Sequence, residues 1–416
     1  MTEEFKSFEK KRVIYFIAGL VVCLMAGMSY TWSVLQTPFV NHLNAQDKVA
    51  SVALCWTLTV LAATMSPTIL GGFTKKLSPR MLVLIGGIMF GLGYLGCAFV
   101  TSIPMLIIVF GIGVGVGSGL MYPTMMGYTA SIMPEKQGFA AGLMAGVYGG
   151  AAIIWSPILA GLLESDYATT FLIIGPLCLV VLVICSFFIG PVPEGYVAYK
   201  KGEMAKQAAG TSAPAPSNVP DLNRAQMVRT TTFYIVLATF AFGMTSGMMI
   251  ISQASMILQN TYAMTPIKAA GYVSLFSFAS MIGRLFWGMV TDKTNKYVTL
   301  CIICAIPIAT MGLLAITGSQ MIAIACMFLT ALCYGGFSST ITPITADLFG
   351  TKYIIENYGV MYLTFGIAGL IGPRLAVSLN QGGNYSGAFI GGCILAAVSL
   401  VTAFIVRGKV KAQTAK

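Results

Sequence analysis

Charge is what this chain has least of. Only 9% of its 416 residues are charged, against about 25% in a soluble globular domain. So few charges cannot cover the cores of two or three water-soluble domains, while 57% hydrophobic residues point to a chain solvated by lipid. Histidine occurs once, as His42, and acidic residues number thirteen. That poverty excludes most catalytic and metal sites, which need clustered His, Asp or Glu. Ten cysteines are scattered, mostly in apolar segments, and the pair in "CIIC", Cys301 and Cys304, has no partner Cys or His nearby in sequence. The glycine run "GIGVGVGSG", 111–119, fails the nucleotide-loop spacing, has no following Lys-Ser/Thr and lies inside an apolar segment. It reads as close helix packing. No cofactor, no metal and no enzymatic activity are expected.

What the sequence does contain is long apolar runs. Segments of spanning length fall at 13–36, 50–72, 81–101, 105–130, 138–163, 169–190, 230–255, 268–290, 298–317, 320–345, 358–379 and 386–406. They predict an all-α membrane protein of twelve transmembrane helices, since open strands leave backbone groups unpaired in lipid. The first run follows "MTEEFKSFEKKR" and exceeds 20 residues, so it reads as a span and not as a signal peptide. If both termini face the cytoplasm, 20 of the 24 basic residues fall in cytoplasmic loops and tails. That asymmetry fits the positive-inside rule and accounts for the net charge of +11 without a nucleic-acid partner. A multi-pass inner-membrane protein, monomeric and contacting lipid, is expected. The Pro-, Ala- and Gly-rich stretch 191–227 reads as a cytoplasmic linker between six-helix halves at 1–190 and 228–416. A repeat crosses it. "GGFTKKLSPRM" after span 2 parallels "GMVTDKTNKYV" after span 8, with Lys76 and Lys293 217 residues apart, and Gly138 and Gly359 are 221 apart. Similar offsets predict halves related by a parallel pseudo-two-fold axis.

The residue that breaks the pattern is Arg284, in "SMIGRLFWGMV". Asp292, eight residues on, marks the cytoplasmic end of span 8. Arg284 is then roughly 12 Å from that end, near the middle of a core about 30 Å thick. A charge there costs at least about 2.5–3.5 kcal/mol. All thirteen acidic residues fall in tails, loops or helix ends, so the chain offers no counter-ion at that depth. A substrate carboxylate would supply one, held by the paired donors of the guanidinium. Backbone carbonyls, hydroxyls and water are the competing partners.

The loop sequences resemble the major facilitator superfamily, whose motif is Gly-x-x-x-Asp-Arg/Lys-x-Gly-Arg/x-Arg/Lys. The second copy keeps Gly288, Asp292, Lys293 and Lys296. The first keeps Gly71, Lys76 and Arg80, with Lys75 in the acidic place and Ser78 in that of the second glycine. "AGMSYTWSVLQTPF", "AGVYGGAA", "GRLFWGMVTDK" and "DLFGTKYIIENYGVMY" resemble, more narrowly, the oxalate/formate antiporter family and related monocarboxylate transporters. The resemblance implies a twelve-helix rocker-switch carrier of small carboxylates; uniport, symport with a proton and exchange for another anion are all open to it. It implies cavity-lining roles for Tyr30, Tyr122, Tyr148 and Tyr334, each of which also needs a hydroxyl partner when buried. It implies two pocket cations in the oxalate exchangers. Arg284 matches the first, whereas the second falls near Phe365, which would make that wall apolar. One fixed cation predicts monocarboxylates; oxalate/formate-type exchange is the alternative. Arg374, nine residues beyond Phe365, reads as a residue of the outer mouth unless the chain breaks at Gly372-Pro373 and turns it inward.

Overall fold

With no water in the hydrocarbon core, each backbone N–H must find its partner within its own segment, and this sequence does so by α-helix. The computed structural model describes residues 3–69, 77–133, 137–193, 195–196, 199–200, 221–350 and 353–414. Among these, twelve helices are long and apolar enough to cross a membrane. The first six are α1 (Glu3–His42), α2 (Gln46–Pro67), α3 (Pro79–Phe99), α4 (Ile103–Thr129), α5 (Gly142–Ser165) and α6 (Tyr167–Phe187). The second six are α7 (Thr231–Tyr262), α8 (Pro266–Thr291), α9 (Lys296–Ile316), α10 (Gln320–Phe349), α11 (Asn357–Ser378) and α12 (Ser386–Val410). Most of the linker expected at 191–227 lies outside the described residues.

Side-chain caps define many of the starts. Ser78 accepts from the Met81 N–H, Asp166 from Thr169, Thr230 from Phe233 and Thr265 from Lys268. Proline follows Ser78 and Thr265 in the first turn, where no N–H is needed. Asp166 lies in a short connection, and the Thr169 backbone N–H holds its carboxyl below the usual range.

The halves meet along two equivalent seams. α2 packs against α11, and α5 packs against α8. Exchanging the halves maps α2 onto α8 and α5 onto α11, so each seam maps onto the other, as a pseudo-two-fold requires. Close approach is made by small residues: Gly283 of α8 faces the Leu332 carbonyl of α10, and Gly335 of α10 faces the Ser280 carbonyl. This crossing fixes the middle of α8, where Arg284 sits.

Three helices are interrupted within their spans. α1 tightens to a 3₁₀ turn over Gly27–Thr31, α5 breaks at Ala151, and α11 breaks at Tyr362. α4 winds as a π-helix over Ile107–Val114, a geometry that recurs at functional sites. The interruption in α11 is not at Gly372-Pro373. There the helix runs on to Ser378, and Gly372 presses on the α7 backbone. Arg374 is exposed and does not turn inward.

Candidate substrate site

The interruptions converge. Tyr30 lies in the 3₁₀ turn of α1, Tyr148 just before the break in α5, and Tyr362 at the break in α11. An irregular turn sets each ring at an angle a straight helix would not give. Tyr30 and Tyr148 meet edge to face with centroids 5.3 Å apart, and Tyr122 of α4 stacks on Tyr148 at 4.0 Å. Across the seam the Tyr30 and Tyr334 hydroxyls share a hydrogen bond of 3.4 Å. Phe365 continues the wall, edge to face with Tyr334 at 6.3 Å and tilted on Tyr362 at 4.9 Å. The five aromatic residues expected to line a site are therefore brought together, and Tyr358 and Tyr362 extend them.

Arg284 is buried, 7% exposed. Its guanidinium lies against Gly149 of α5, where a Cβ would collide with it, and one terminal N–H donates to the Ala145 carbonyl. Its Nε–H is buried without a partner. Tyr30, Tyr122, Tyr148 and Tyr334 lie within range of its charge. Among the described residues no carboxylate pairs with it. The ion pairs found, Glu9 with Lys200 at 2.5 Å and Asp347 with Lys296 at 2.8 Å, lie toward the end that holds the termini. Arg284 is thus bound partly by backbone, through one donor, while another stays free. Removing an unpaired buried donor from water costs about 1–3 kcal/mol, more when the group is charged, so the arrangement favours an incoming acceptor.

Beside the tyrosines is a void of about 20 Å³, between Tyr30, Tyr148, Tyr362 and Phe365. Such a space holds about one water molecule. Its remaining wall includes Ser29, Ser118 and one stripe of α2: Trp56, Thr59, Val60, Ala63 and Thr64. The Ser118 and Tyr148 hydroxyls are 3.0 Å apart. Sequence reasoning passed over this stripe, although its spacing of three, four, seven and eight residues marks one helix face. Serine and threonine are unremarkable in membrane helices because their hydroxyls bond to the preceding turn, so their types alone gave no warning. Arg284 does not line the void itself; Tyr30 and Tyr148 connect the two.

Away from the termini the site is roofed by polar contacts between halves. Gln253 of α7 donates to Gln36 of α1 at 2.7 Å, and Trp32 donates to the same oxygen at 2.9 Å. Thr57 donates to the Gly369 carbonyl at 3.3 Å and Ser274 to the Ala152 carbonyl at 3.2 Å. The loop-motif residues lie at the other end. Arg80 is exposed, its guanidinium 4.6 Å over the Phe187 ring, and Gly288 faces Ser339 of α10. Gly71 and Lys76 lie outside the described residues, as do the side chains of Asp292 and Lys293.

A family model described as Major Facilitator Superfamily matches residues 17–373. The oxalate:formate antiporter of Oxalobacter formigenes is 24% identical, over 94% of this chain and 88% of that protein. Monocarboxylate transporter 12 of Rattus norvegicus is 20% identical, over 85% of this chain and 76% of its own length. Among solved structures, a bacterial homologue of the human lysosomal transporter Spinster, inward-facing and occupied, superposes with a TM-score of 0.74. It is 12% identical and covers 98% of both chains, a likeness of fold alone.

Proposed function

The chain belongs to the Major Facilitator Superfamily, and from that membership we propose that this membrane transporter carries small monocarboxylates, with Arg284 as the ligand of the carboxylate group. The observation that carries the proposal is the free Nε–H of a buried guanidinium with no carboxylate partner among the described residues. A carboxylate would accept from it and from a terminal N–H as a pair, the geometry arginine binds best. The names of two relatives, an oxalate:formate antiporter and a monocarboxylate transporter, support the same class of substrate.

One fixed cation favours a monoanion over a dianion. Oxalate bound at Arg284 alone would leave its second charge in a site walled by Tyr334, Tyr362 and Phe365, where an unpaired charge is costly. Arg374, being exposed, does not compensate it. The transport cycle we propose is alternating access. The contacts of Gln36 with Gln253, Thr57 with Gly369 and Ser274 with Ala152 part to open the far side, and the halves rock about the tyrosine layer. We place the termini and linker in the cytoplasm of a cell with this protein in its inner membrane, on the strength of the basic-residue asymmetry.

Competition tests the monoanion preference. Unlabelled lactate and oxalate are set against a labelled monocarboxylate in proteoliposomes, in wild type and in Phe365→Lys. Lactate should win in wild type, and oxalate should gain at least about tenfold in the variant, as expected for pairing a second buried charge. Oxalate winning in wild type would mean that the one-cation site is wrong.

A further inference from the structure

Building on the carboxylate reading of Arg284, we infer that the carried acid has a hydroxyl group next to its carboxylate, recognised by Ser29, Trp56, Thr59 and Thr64. The argument rests on where the protons of this wall are already committed. Ser29 donates to the Ala26 carbonyl at 3.0 Å, Thr59 to Cys55 at 2.9 Å and Thr64 to Val60 at 2.9 Å. All three side chains are buried and line the void. With its proton directed at its own helix, each hydroxyl keeps only lone pairs to offer. Trp56, on the same wall, has the opposite need: its Nε1–H is buried and has no partner.

The wall therefore combines acceptor oxygens with one free donor. A hydroxyl group is both donor and acceptor, so it satisfies both. A keto oxygen can accept from Trp56 but gives nothing to the three oxygens, and a methyl group serves neither. The void of about 20 Å³ has the size of one water molecule, which is also that of a hydroxyl. Tyr148 borders this void, and the next residue of α5, Gly149, lies against the guanidinium, so the inference places the carboxylate at Gly149 and the hydroxyl at the void, one residue apart on α5. Sites built to hydrogen-bond a substrate hydroxyl reject analogues that lack it far more strongly than apolar pockets reject a change of size.

The test is counterflow competition with a matched three-carbon series: lactate, pyruvate and propionate against labelled lactate. In wild type, lactate should compete at a concentration about tenfold or more below the other two. The near-isosteric Thr59→Val/Thr64→Val pair removes two of the three acceptors, and Trp56→Phe removes the donor. Each should bring the three acids to within about twofold of one another, because the advantage of lactate is what these groups supply. Melting temperatures close to wild type show that the variants are folded. Equal competition by all three acids in wild type, or an undiminished lactate advantage in the variants, overturns the inference and leaves the carboxylate reading standing. Wild-type protein that exchanges none of the three acids overturns both.

Discussion

A single guanidinium in an apolar helix poses the question the rest of the site answers. Arg284 was legible from sequence because a permanent charge among residues such as Leu285, Phe286 and Trp287 contrasts with its surroundings and the acidic residues lie elsewhere. The tyrosines were singled out by the family resemblance, and the need of a buried phenol for a hydrogen-bond partner only adds to it. Gly149 was not, because the role of a glycine depends on what approaches it in space. Here the missing Cβ is what admits the guanidinium. Gly149→Ala should therefore displace Arg284 and lower uptake at least about tenfold, the scale of losing one charged hydrogen bond. Gly146→Ala is the matched control on the same helix, since its Cβ would stand at an ordinary 3.5 Å from Met281. Uptake by both variants, with thermal melting to confirm folding, checks the pair. Equal uptake by the two would remove Gly149 from the account.

At the scale of elements, the spans were readable but their interruptions were not. Apolar length located all twelve helices, because lipid thickness fixes how long such a run must be. It misplaced ends. α1 was expected at 13–36 yet extends over Glu3–His42, since helix can continue in water beyond the apolar run. The turns at Gly27–Thr31, Ala151 and Tyr362 are not set at a proline, so that mark of a kink is missing from the sequence there. The alternative of a break at Gly372-Pro373 does not occur: α11 runs on to Ser378, and Gly372 packs closely on α7. The roof over the site belongs to this scale as well. Gln36 and Gln253 are fully buried and bonded across the halves. A Gln36→Cys/Gln253→Cys pair joined by an oxidant or a short cross-linker should hold the far side shut. Transport should fall to background and return on reduction, read as uptake before and after a reductant. Cross-linked protein that transports at the uncross-linked rate would place the moving gate elsewhere.

For the whole molecule, the sequence repeat and the seams agree. The offset of 217 residues between Lys76 and Lys293 reports a duplication, and the equivalence of the α2–α11 and α5–α8 seams is its physical consequence. The proposed orientation rests on charge: if the 20 basic residues counted from the sequence face the cytoplasm, the linker 191–227 should be protected from a membrane-impermeant thiol reagent in intact cells and labelled after lysis, once single cysteines are introduced there into a cysteine-free background. Labelling of intact cells would invert the topology. The substrate-side hydroxyls remained hidden at every scale of sequence reading, because threonine satisfies its own helix and betrays a site only once the void beside it is seen.

The central claim is that one arginine holds one carboxylate, and counterflow tests it most directly. Proteoliposomes loaded with unlabelled lactate are placed in labelled lactate, with wild type, Arg284→Lys and Arg284→Gln reconstituted at equal density. Wild type should accumulate label transiently. Arg284→Lys, which keeps the charge but loses the paired planar donors, should be slower by about tenfold or more. Arg284→Gln should not exchange above empty liposomes, while melting like wild type. Counterflow by Arg284→Gln at the wild-type rate would contradict the claim.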